Sequence, residues 1–153
     1  MKPEEGQLVC PEPFFTDLTS FHLGAGQIVR FRASGQSMWP FVRDGDWVAI
    51  EPLEPAQARP GDILFYRTPG GGLRLHRLIR RRGRDGVFLP KGDAAHWLNE
   101  VWLEDLQILG RVVRLERGGR PVPIAGLLYR WLGLGYSLSR VAWHLLTSTL
   151  RWG

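Results

Sequence analysis

One cysteine among 153 residues leaves no internal disulfide to be made, so any core must rest on apolar packing. Cys10 could act as a thiol, but it stands beside Pro11 with no histidine close in sequence, and a plain surface or core role is expected. Lysine is almost missing too. Lys2 and Lys91 are the only two, and arginine carries the net charge of +5. A basic balance of this size fits nucleic acid, an anionic membrane surface or plain solubility, and does not choose among them. Met1 to Gly6 holds Glu4 and Glu5 with no apolar run behind them, so neither a secretory signal nor a membrane anchor is expected there. Residues 122–152 contain no acidic residue at all.

The chain is nonetheless 44% hydrophobic, with seven Trp and seven Phe, enough for one domain with a real core. Residues 1–20 are Pro-rich and read as irregular. From Gln27 onward short apolar or alternating runs are separated by Gly, Pro and Asp, the mark of a mainly β domain. The expected strands are Gln27–Ala33, Trp47–Glu51, Ile63–Arg67, Leu73–Arg80, Val87–Leu89 and Ile108–Leu115. Gly45–Asp46 and Gly61–Asp62 enter two of them. Arg80, Arg81, Arg82 and Arg84, followed by Asp85–Gly86, read as a solvated hairpin tip. One short basic cluster without interleaved aromatics is weak support for nucleic acid, which is not expected as a partner. The division is therefore 1–20 as an irregular segment, 21–117 as the β domain and 118–153 as a helical appendage.

The chemistry concentrates in Ser34-Gly35-Gln36-Ser37-Met38-Trp39-Pro40. A serine in a tight glycine-containing turn after a strand presents its hydroxyl outward and turns its own N–H the same way, which suits a nucleophile with a built-in oxyanion donor. Taken alone, the pattern also fits an ordinary β-turn. Arg59-Pro60-Gly61-Asp62, Leu75-His76-Arg77-Leu78-Ile79, Pro90-Lys91-Gly92-Asp93 and Ile108-Leu109-Gly110-Arg111 follow in order. This series resembles the type I signal peptidase and LexA-like serine peptidase superfamily over about residues 28 to 115. The resemblance implies a bent β-sheet catalytic domain and a serine endopeptidase needing no metal or cofactor. Ser37 would be the nucleophile, and Gln36, Met38, Trp39 and Pro40 would meet the substrate.

In that superfamily the general base is a lysine in most members and a histidine in the archaeal and endoplasmic-reticulum branch. The base position here reads His76-Arg77-Leu78, which resembles the histidine branch, while Lys91 matches the Lys-Gly-Asp motif. The third member is less determined. Asn99 stands where the branch has an aspartate, and an amide can orient an imidazole but cannot offset its positive charge. Asp93 is the first candidate for the role, with Asn99 and Glu100 behind it. The alternative for Asp93 is a turn-stabilising aspartate. His96 reads as a surface residue. Ser34 is one residue away from the place where some relatives supply an oxyanion hydroxyl, and Gly35 occupies that place.

The implied partner is an extended peptide or precursor, docked as an added strand. A self-cleaving regulator is a second reading, though its Ala25–Gly26 bond lies only eleven residues before Ser37. An inactive binding module on the same fold is a third. On a helix, Arg130, Gly133, Ser137, Arg140, His144, Thr147, Ser148 and Arg151 fall in one narrow sector, with apolar residues around the rest. Such a segment packs on its own domain, pairs with a second copy, or lies at a membrane surface. It is a poor span, because Arg140 and His144 would sit near mid-bilayer. A cytoplasmic or peripheral membrane location is expected.

Overall fold

A computed structural model of the chain describes residues 12–83, 86–96, 102–104, 107–124 and 126–149. The expected strands form at or near the expected places: β1 (Val29–Arg32), β2 (Trp47–Pro52), β3 (Ile63–Arg67), β4 (Leu73–Arg82), β5 (Val87–Lys91) and β6 (Ile108–Arg117), with a short β7 (Arg120–Val122). All join one antiparallel sheet in the order β1-β2-β6-β3-β4-β5, with β7 on β6. The fold is mainly β. Register shifts at Ala49/Ile50, Phe65/Tyr66 and Leu78/Arg80 bend the strands.

Strand β3 shows how the sheet is held. It is apolar without alternation because both of its faces are covered. Ile63 and Phe65 join Met38, Val48, Ile50 and Leu115 in one core cluster, while Leu64 and Tyr66 join Leu78, Phe88 and Leu103 in another. Beside β3, Arg80, Arg81 and Arg82 belong to β4 and not to the hairpin tip. Arg81 lies over Phe88 and Arg82 over Trp102, so their stems pack on aromatic rings.

Two helices frame the sheet. The irregular reading of residues 1–20 is corrected over residues 12–20 by α1 (Glu12–Gly24), while residues 1–11 lie outside the described residues. Its inner side buries Thr19 and Leu23 and sets Phe15 edge-on to Phe31 at 5.4 Å. Phe14, Leu18 and Phe21 face outward. Apolar residues on both sides of α1 blur the helical period that would have marked it.

The C-terminal helix α2 (Leu127–Thr149) reverses the usual amphipathic arrangement. Its stripe of Arg130, Gly133, Ser137 and Arg140 meets the domain. Leu127, Leu128, Trp131, Leu132, Trp143 and Leu145 are each more than half exposed. Among the described residues no helix is long and apolar enough to cross a membrane.

Candidate active site

The serine turn leaves β1 and is fixed at three points. Gly35, at φ 88°, donates its N–H to Asp44 at 2.9 Å. Met38 is buried in the core, and its carbonyl accepts from the N–H groups of Phe41 and Val42, both at 3.0 Å. The carbonyl of Ser37 accepts from Ala94 N–H at 3.0 Å. Ser37 itself is exposed, and neither its Oγ nor its N–H has a hydrogen-bond partner among the described residues. A nucleophile and an oxyanion donor both need that freedom.

His76 sits in β4 opposite Leu64 of β3, and Tyr66 lies two residues beyond Leu64 on the same face of that strand. That register brings the Tyr66 hydroxyl to 2.9 Å from His76 Nδ1. The other ring nitrogen points toward the serine turn. A Cβ placed on Gly92 would lie 2.7 Å from the Ser37 carbonyl oxygen and 3.4 Å from His76 Nε2. Glycine is thus required where β5 ends, and its bare Cα lets the serine turn and the imidazole flank one methyl-sized space. No hydrogen bond joins Ser37 to His76.

Burial pushes the His76 imidazole down to about 4, and the charges of Arg74 and Lys91 act in the same direction. The ring is therefore neutral at pH 7. Tyr66 is itself pushed up to about 12, chiefly by burial, and stays a neutral phenol. If Nδ1–H donates to the phenol oxygen, Nε2 keeps its lone pair on the serine side. A phenol can orient the ring but offers no negative charge to an imidazolium, which is consistent with the low value.

The carboxylate of Asp93 is engaged elsewhere. Its two oxygens accept from Arg77 Nε at 2.8 Å and Arg77 Nη2 at 2.7 Å, and both side chains are wholly buried. Arg77 also donates to the Gly61 carbonyl at 2.8 Å and lies 4.9 Å over the Phe41 ring. The expectation that Asp93 supports His76 thus gives way to a buried Arg77–Asp93 pair beside the site. Asn99 and Glu100 lie outside the described residues, as does Cys10. Asp46 and Asp62 follow the same pattern: each bonds a nearby backbone N–H and pairs with arginine, Asp46 with Arg117 and Asp62 with Arg130. His96 accepts from Arg140 at 2.8 Å.

A cleft of about 520 Å³ opens beside Ser37. Its walls come from α1, β1, the serine turn and the start of β4. Of the residues expected to meet substrate, Met38 contributes to the wall while otherwise buried in the core, whereas Gln36, Trp39 and Pro40 lie outside it. Arg30, Arg32, Phe31, Arg74 and Leu75 take part instead.

A family model described as Peptidase S24-like matches residues 4–113. The chain belongs to that family. The S24-like match spans α1, the serine turn, His76 and the Lys-Gly-Asp motif, and it ends within β6. No curated protein matches the chain.

Helix α2 lies beyond the S24-like match, yet it touches the motif residues inside it. The buried Lys91 Nζ donates to Ser137 Oγ at 3.1 Å and to the Gly92 carbonyl at 3.0 Å. Burial pushes Lys91 down to about 8, with Asp93 opposing the fall. Lys91 is thereby committed to α2 and not to Ser37 Oγ. A Cβ on Gly133 would collide with the Arg77 guanidinium, and Arg140 reaches the Ala94 carbonyl at 3.3 Å. Motif order gave no sign of Tyr66 or Ser137, since both depend on which strands and helices meet.

Proposed function

We propose that the chain is a serine endopeptidase of the histidine-base kind, cleaving an extended peptide or precursor. The observation that carries this reading is that the turn holding the exposed Ser37 and the Nε2 of His76 flank the bare Cα of Gly92, with the Ser37 hydroxyl unbonded among the described residues. Neutral His76, held at Nδ1 by Tyr66, takes the Ser37 proton at Nε2. The serine oxygen then attacks the scissile carbonyl, and the Ser37 N–H stabilises the oxyanion. His76 returns the proton to the leaving amine, and water hydrolyses the acyl-enzyme by the same route. Closure of Oγ onto Nε2 belongs to the substrate complex, where catalytic hydrogen bonds commonly tighten. Among the described residues Tyr66 stands where a triad would hold a carboxylate, and it acts in this reading as a neutral positioning residue.

Incubating the wild type and Ser37→Ala with a peptide library, with mass spectrometry of the products, tests this. Cleavage by the wild type alone supports it. Equal products, or none from a folded wild type, would place the chain with inactive binding modules. Self-cleavage at Ala25–Gly26 is disfavoured because these residues close the end of α1, where their N–H groups bond Phe21 and Leu23 carbonyls at 3.0 Å.

We also propose that the outward face of α2 rests in the interface of an anionic membrane. Its exposed Trp131 and Trp143 suit the headgroup level, and residues 122–152 bring no negative charge to repel anionic lipid.

A further inference from the structure

Among the described residues, the cleft beside Ser37 has three arginines in its wall and no carboxylate. Arg30 and Arg32 are both exposed and stand two apart on β1, so they share one face of the strand. Both lie over the Trp47 ring, at 4.6 and 5.8 Å from its centroid. Stacking of this kind steadies a guanidinium while leaving its N–H fork open. Arg30 is already paired with Glu116 at 2.7 Å. Among the described residues Arg32 has no carboxylate partner, and Arg74 bonds only the carbonyl of its neighbour Leu73. β1 pairs only with β2 among the described residues, which leaves its outer edge as the place for an added strand.

We propose that this cleft is a subsite for an acidic stretch of the substrate, whose carboxylates at alternating positions meet Arg32 and Arg74, with Arg30 adding to the field. A strand added to β1 repeats its side chains every second residue, which matches the spacing of Arg30 and Arg32. Phe31, Leu73 and Leu75 add apolar surface to the same cleft, so acidic and apolar residues would alternate in the preferred peptide. This inference rests on the peptidase reading for its substrate but concerns binding alone.

The experiment uses the full chain carrying Ser37→Ala and fluorescent decapeptides that alternate apolar residues with Glu, Gln or Lys. Anisotropy titrations should show the Glu peptide binding about fivefold to tenfold tighter than the Gln peptide, as two partly exposed charge pairs would give. The preference should vanish in Arg32→Gln/Arg74→Gln and shrink at high salt. Equal affinity for all three peptides, a preference for Lys, or equal capture of a single-stranded oligonucleotide of the same charge would overturn the proposal. Acidic-peptide binding without cleavage by the wild type would refute the peptidase reading and leave the subsite standing. Cleavage of neutral peptides with no acidic preference would do the reverse.

Discussion

At the scale of single residues, the ring of His76 sets the pH behaviour. A proton on Nε2 removes the lone pair that must accept from Ser37, so activity is lost as pH falls through the His76 value. With that value near 4, kcat/KM should rise with pH through about 4 and stay level past neutrality. Replacing Arg74 by Gln removes a positive charge that opposes protonation, so the acid limb should move to higher pH. A limb near 6.5 in the wild type would show that burial does not lower the His76 value. Tyr66→Phe leaves Nδ1 without its partner, and kcat should fall about tenfold with KM little changed, since the ring loses orientation and not substrate contacts. An unchanged kcat would remove Tyr66 from the mechanism. The turn that holds Ser37 and the strand that holds His76 were legible in the sequence because their motifs are local and ordered. Tyr66 was not, because only the Leu64–His76 register of β3 and β4 brings it to the ring.

At the scale of elements, the three Gly-Asp pairs gain a second meaning. Turn formation made them visible, but the arginine that each aspartate takes lies far away in sequence, as with Asp46 and Arg117. The Arg77–Asp93 pair ties β4 to the end of β5, and Gly133 of α2 closes over it. Asp93→Asn would leave a buried guanidinium uncompensated and should cost about 3–5 kcal/mol in denaturant unfolding. Under conditions where the variant remains folded, its acid limb should stay near 4. A stable Asp93→Asn protein without activity would instead return Asp93 to the chemistry. The strands were legible from alternation and turn residues, whereas α1 was hidden by apolar residues on both of its sides. The polar stripe of α2 was also visible, but not its direction. It turns inward because the surface it covers offers Asp62, Arg77 and Lys91, which an apolar face could not satisfy.

At the scale of the molecule, inward polarity in α2 leaves an apolar, tryptophan-bearing face outside, the face proposed to meet a membrane surface. The full chain should float with vesicles containing phosphatidylserine and float less with neutral ones. Trp131→Ser/Trp143→Ser should abolish flotation without changing the fold by circular dichroism. A concentration-dependent dimer that never floats would assign the face to a second copy. The central claim concerns the partnership of Ser37 and His76, and a double-mutant cycle on one cleaved peptide tests it most directly. Ser37→Ala and His76→Ala should each lower kcat/KM by at least about a thousandfold, and the double variant should be no worse than either, because the two side chains act as one unit. Near-normal activity in His76→Ala, or a double variant showing the product of two independent losses, would contradict the account.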